Sequence, residues 1–292
     1  MKPKEFTSLI ALLEDPDQEV FNAISSKLVN EGLLLIPLLE KAWETSGNEL
    51  LQSRIEELLH RIQFENTKKN LTSWVRSGGN DLLQGAVCVA KYHYPDIEYE
   101  VIENIIEKIK RKIWHELNES LTPLEKVKVI NHIIYQVCGY RGNTTNFFSP
   151  QNHFINQLLE TKRGGPVLMA VFYIIIAQRL GLPIYGVSLP RNFLLAYKDK
   201  YRISSDEDEK SVPVHFYINP FNNGVVLGKK EIEQFLEQHK IEKKQDYFIP
   251  CTNRTAVSQL IASLMISFQK TSNPEKINDL KVFLDILSEK VT

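Results

Sequence analysis

The sequence predicts a mostly helical α+β protein, and three observations carry that prediction. Apolar residues recur at helical spacing over residues 1–64 and again from Asp81 to Val137. A helix opening at Pro166 is apolar on all sides through Ile176, so it must be covered on every side. Short β-type segments come after it, Ile184 to Ser188, Phe193 to Tyr197 and Val212 to Ile218, before the chain returns to helix from Thr255.

The first 64 residues read as helix and turn, repeated. Leu9, Leu12 and Leu13 end a first helix at Asp15-Pro16-Asp17, where proline stops the hydrogen-bond ladder and aspartate can cap the next helix. Val20, Ile24 and Leu28 carry that second helix to Gly32, Leu38, Leu39 and Trp43 a third to Gly47-Asn48, and Leu51, Ile55, Leu58 and Ile62 a fourth. Leu12 to Val20 resembles the start of a HEAT repeat, a hairpin that buries its stripe only against neighbours. Asn66 to Asn80 is polar, contains Gly78-Gly79, and marks the expected domain boundary.

A second helical block begins there. Gly85, Ala86 and Ala90 would let another helix approach Asp81 to Tyr92 closely, and Ile102, Ile105, Ile109 and Ile113 form the stripe of the next helix. Thr122-Pro123-Leu124-Glu125 is a capping box with proline at the first helical position, leading a core face of Val127, Ile130, Ile134 and Val137. Gly164-Gly165-Pro166 opens the all-apolar helix, and Arg179, Gly181 and Pro183 close it. Lys198 to Ser211 reads as a solvated, charged loop, and Asn223-Gly224 as the turn into a strand from Val225 to Leu227. Thr255 to Phe268 and Pro274 to Leu287 form a closing hairpin. The expected domains are therefore 1–65, 66–252 and 253–292.

Composition narrows the function. The 292 residues are 43% hydrophobic and 24% charged, within the ordinary globular range. Thirty-five Lys and Arg balance thirty-six Asp and Glu for a net charge of −1, which supplies no field for phosphates, so no nucleic-acid partner is expected. The longest nearly uncharged apolar stretch, Pro166 to Ala177, falls short of the ~20 residues of a membrane span, and the N-terminus lacks a signal-peptide layout, so a cytoplasmic protein without membrane contact is expected. Cys88, Cys138 and Cys251 are too few and too far apart for a disulfide framework or zinc site; no metal and no cofactor are expected. His93 has no second ligand four residues on, and Lys108, Lys110, Arg111 and Lys112, interleaved with Ile109 and Ile113, read as a solvated helix face.

Gly139-Tyr140-Arg141-Gly142-Asn143, Phe147-Phe148-Ser149-Pro150-Gln151-Asn152 with Asn156, and Arg163-Gly164-Gly165-Pro166 leading to Arg179-Leu180-Gly181-Leu182-Pro183 together resemble the bacterial Sir-B-type transglutaminase-like family. Leu189 to Leu194 and Ile218 to Gly224 look like that family's next two blocks, Ala86 to Asp96 like its N-terminal helical part, and Asn253 onward like its trailing tetratricopeptide-like helices. The resemblance covers roughly residues 71–292. It implies a papain/transglutaminase-like core, one central helix on an antiparallel sheet, flanked by helical hairpins. In active relatives a cysteine starts the central helix, a histidine lies on the next strands and an aspartate beyond it, an arrangement that lowers a thiol pKa and orients an imidazole.

By the resemblance, those three positions fall at Pro166, Asn192 and Asn219 in this chain. Proline has no nucleophile, a carboxamide is not a base at neutral pH, and asparagine cannot stabilise an imidazolium by charge. Many members already lack the cysteine while keeping the other two, so this chain looks further degenerate. Arg141, Asn143, Asn152, Asn156, Arg163, Arg191 and His215 are the candidate binding-cleft residues, expected near the old active site. The bland alternative is that the Asn and Arg side chains serve irregular backbone between Gly139 and Phe154. His153 reads as a core or capping residue, and Cys88 and Cys138 as core. The expected function is a catalytically degenerate module that binds a protein or peptide. The alternative is a thiol-dependent hydrolase or acyltransferase using Cys251 or His215 in the same cleft; a third reading has the N-terminal hairpins dock on a larger assembly.

Overall fold

Local signals set the first helices of the computed structural model, which describes residues 3–198 and 214–289. The helices are α1 (Pro3–Leu12), α2 (Gln18–Glu31), α3 (Ile36–Thr45) and α4 (Glu49–Arg76). The Asp17 side chain accepts the Glu19 N–H at the start of α2, and Gly32 ends that helix at φ 71°. Phe21, Leu28, Leu39, Ile55 and Leu58 bury their side chains together. The Arg54 guanidinium, also buried, donates to the Leu13 and Asp15 carbonyls and lies 4.8 Å over the Phe21 ring, so its charge is solvated by the turn after α1. These residues make one compact unit, Met1–Asn70 with Lys91–Pro95; Leu71–Ala90 with Asp96–Thr292 make a second.

The polar stretch from Asn66 does not interrupt the chain as a linker would. It continues α4 to Arg76, because Leu71, Trp74 and Val75 keep a buried face at helical spacing. The stop comes at Gly78 and Gly79, both at positive φ.

In the second unit, Gly85 of α5 (Leu82–Lys91) abuts Trp74 and Val257 so closely that a Cβ there would lie 2.8 Å from each side chain. The buried stripe of α6 (Tyr99–Glu116) is Ile102, Ile106, Ile109 and Ile113. Ile106 takes the place expected for Ile105, since steps of four, three and four hold a stripe straight on a 3.6-residue helix. The Thr122–Glu125 capping box opens α7 (Pro123–Asn131). A π-helical segment, His132–Val137, then widens the turn, so Ile133 and Ile134 are buried while Val137, expected in the core, is half exposed.

Strands β1 (Arg141–Gly142) and β2 (Arg163–Gly164) pair in parallel and bracket α8 (Ile155–Thr161). The central helix α9 (Pro166–Arg179) buries every residue from Leu168 to Ala177. It packs against α6, α11 (Asn253–Lys270) and two strands of a four-stranded antiparallel sheet. That sheet runs β3 (Ile184–Leu189), β4 (Asn192–Lys198), β5 (Val214–Asn219), β6 (Val225–Leu227), in that order. Leu194, Ala196 and Tyr217 face Ile232 and Leu236 of α10 (Lys229–Gln238), so the sheet is covered by helix on both sides and β4 is buried from Phe193 to Tyr197. At the far end of α9, Arg179 pairs with Glu103 at 2.9 Å and Glu107 at 3.1 Å on α6. Helix α12 (Pro274–Ser288) pairs with α11. The charged run after Lys198 lies outside the described residues.

Candidate functional site

The starts of α9 and β4 converge on one cavity. Gly165 caps α9 without a side chain, and its own N–H donates to the Asn152 carbonyl at 2.8 Å. Proline fits the next position, where an N–H has no helical acceptor anyway. Asn192 opens β4 just after the two-residue turn Pro190-Arg191, in which Arg191 takes φ 64°. Between Pro166 and Asn192 lies a cavity of about 320 Å3. Phe147 and Phe148 wall one side; Gln259, Ala262, Ser263, Ile266 and Ser267 of α11 wall another. His153 and Arg191 also line it.

Of the three positions that the resemblance assigns to nucleophile, base and orienting carboxylate, two, Pro166 and Asn192, line this cavity. The third, Asn219, caps the short helical turn after β5, accepting the Asn222 N–H at 3.3 Å, and does not line the cavity. Asn192 Oδ1 accepts the adjacent Phe193 N–H at 2.9 Å.

The predicted cleft residues divide. Asn152, 3% exposed, donates to the Asn146 carbonyl at 2.6 Å and the Phe147 carbonyl at 3.0 Å, and Asn143 donates to Asn152 at 2.9 Å. These amides hold the irregular loop that presents Phe147 and Phe148 to the cavity. Asn156 lies in the first turn of α8 with Oδ1 buried and unpartnered. Arg163 sits on β2 beside Arg141 of β1, and Arg141 borders a separate pocket of about 260 Å3 with Asn131, Tyr135, Gln136 and Asn223. His215 faces another groove, with Lys229, Lys243 and Phe248. Arg191 alone of the seven reaches the cavity directly.

Reading the sequence missed the α11 wall. Its signal was present, for residues 259, 262, 263, 266 and 267 fall on one helix face and put Gln, Ser and Ser among apolar neighbours.

No cysteine lines the cavity. Cys88 and Cys138 are buried, and burial pushes the Cys251 thiol up to about 12, so none of the three supplies a ready thiolate there. One hydroxyl and imidazole do meet: His153 Nε2 lies 2.8 Å from Ser267 Oγ. The pair lacks what a Ser–His nucleophile needs. Burial pushes His153 down to about 4, which makes it a weak base, its Nδ1 has no orienting partner, and Ser267 is 2% exposed within a helix. Among the described residues no His, Cys, Asp and Glu cluster could hold a metal ion, and no helix is long and apolar enough to cross a membrane.

A sequence model of the transglutaminase-like superfamily matches residues 100–262, more than half of the chain. A UPF0162 protein of Xylella fastidiosa is 28% identical over 198 residues, covering 65% of this chain and 66% of that protein. A UPF0162 protein of Vibrio cholerae is 24% identical, covering 63% and 65%. F-box only protein 21 of Mus musculus is 24% identical over 63% of this chain but 32% of its own length. The chain thus matches a little under two thirds of the bacterial relatives' length. No solved structure gives a significant match.

Proposed function

The chain belongs to the transglutaminase-like superfamily, and from that premise we propose that it is a catalytically silent member, of the Sir-B-type branch, whose cleft binds a peptide or protein segment. The observation that supports this reading is the cavity itself: it opens at the start of the central helix and is lined by Pro166 and Asn192, the residues that the resemblance assigns to the nucleophile and base positions. A cavity of this volume, walled by aromatic and aliphatic groups with a few polar ones, is the ordinary form of a small-ligand or side-chain pocket. The HEAT-like hairpins and the tetratricopeptide-like pair fit the same role, since both extend binding surface. The share of F-box only protein 21 that matches, 32%, also fits a domain that serves as one part of a longer protein.

The test is turnover. Full-length chain incubated with p-nitrophenyl acetate, or with a glutamine-containing peptide and hydroxylamine, is expected to match the rate without protein. Activity that survives purification and disappears when Ala262→Phe fills the cavity would overturn the proposal. A thiol enzyme in this cleft is not favoured, because no cysteine reaches the cavity.

A further inference from the structure

Asn223 is the one asparagine of the chain that precedes a glycine. With no side chain on the following residue, the Gly224 backbone nitrogen meets little steric resistance at the Asn223 side-chain carbonyl carbon, which makes this the most labile asparagine in the sequence. The same pair makes the turn between β5 and β6, where the two residues take φ 49° and 73°.

The turn holds that chemistry in check in three ways. Ring closure needs the Gly224 nitrogen to swing over the Asn223 Cβ, whereas at ψ 32° it points nearly to the opposite side of the Cα–C bond. The Gly224 N–H, whose proton must leave before the nitrogen attacks, donates to the Asn219 carbonyl at 2.9 Å. From outside the turn, Asn131 of α7 donates to the Gly224 carbonyl at 2.8 Å and accepts from the Tyr173 hydroxyl at 3.0 Å, while Tyr135 donates to the Pro220 carbonyl at 2.9 Å. Gly224 is buried so closely against Asn131 that a Cβ there would overlap that side chain, yet Asn223 itself is exposed to water.

We propose that Asn223 is a modification site governed by this turn, losing its side-chain amide only when the turn opens. The Gly224 nitrogen, deprotonated by hydroxide, bonds to Asn223 Cγ; the amide nitrogen leaves as ammonia, and a five-membered imide remains. Water then opens either imide carbonyl, leaving Asp at position 223 or an isoaspartyl link that carries the main chain through the side chain. No electrons are exchanged, and water and hydroxide are the only co-reactants. Either product puts a new carboxylate at the pocket that Arg141 borders, and the isoaspartyl link adds a backbone atom where Asn131 leaves no room. The inference is independent of what the cleft binds.

The test keeps the full chain at mildly alkaline pH, folded in buffer or unfolded in guanidinium chloride, and maps its peptides by mass at intervals, with Asp and isoaspartyl forms separated by chromatography. Unfolded, Asn223 is expected to be the first asparagine converted; folded, its rate should be about tenfold or more lower. Asn131→Ala, and Tyr135→Phe as a milder second variant, each with an unchanged circular dichroism spectrum, should raise the folded rate and leave the unfolded rate as it is. Equal rates in the folded and unfolded chain, or another asparagine converting ahead of Asn223 in denaturant, overturn the proposal. So does a folded rate that neither variant raises.

Discussion

Gly85 and His153 show how single residues carry the packing of the second unit. A methyl at position 85 would press within 2.8 Å of Trp74 and Val257, both in well-filled surroundings. Gly85→Ala is expected to destabilise by ~1–3 kcal/mol, read as a lower urea midpoint with an unchanged slope. His153 makes a pH prediction. Its folded value, about 4, lies below the unfolded 6.5, so between the two the unfolded chain binds the extra proton. Stability is complete above about pH 6.5 and falls as the pH drops towards 4, by up to about 3 kcal/mol. Urea unfolding at pH 7 and pH 5 should show that loss in the wild type and a smaller one in His153→Gln; equal losses would refute a buried neutral ring. Residue roles such as these were only partly legible. The small residues around Gly85 announced a close approach, whereas Asn143 and Asn152 look alike in sequence whether they bind a ligand or hold a loop.

At the scale of elements, short-range signals did well because capping and periodicity act within a turn or two. The four letters Thr122-Pro123-Leu124-Glu125 form the box they spell: Thr122 receives the Glu125 N–H, and Glu125 accepts from Thr122. Thr122→Ala should lower stability by ~1 kcal/mol at neutral pH, measured by thermal or urea unfolding. The hydrogen bonds from Thr122 hold Glu125 below the ordinary carboxylate range, so its contribution is present above that range and lost as pH falls through the depressed value. The difference between wild type and variant should therefore shrink in acid. What the periodicity could not foresee was the π-helical turn after Asn131, which rotates Val137 out of the stripe begun by Val127.

For the molecule as a whole, the reading of a silent cleft rests on where thiols are not. Cys88, Cys138 and Cys251 should alkylate about a hundredfold or more slower in native protein at neutral pH than in urea, located by peptide mass mapping. One cysteine reacting rapidly below pH 7 would mean that the site has been rewired for thiol chemistry. The cavity is also a whole-molecule property. Its walls come from the loop before α8, the start of α9, the β3–β4 turn and α11, so α11 belongs to the site as much as the central helix does.

The sequence by itself determined most of the helices and their apolar stripes, and the all-apolar central helix followed by short strands. Each of these depends on residue identity or on neighbours within a few positions. Only the tertiary structure decided that Arg191 joins the cavity while Arg141 and His215 face elsewhere, and that His153 meets Ser267 across 114 positions of chain. Helical and strand periods report which face of an element is apolar; they carry no information on which distant face it meets, and packing settles that.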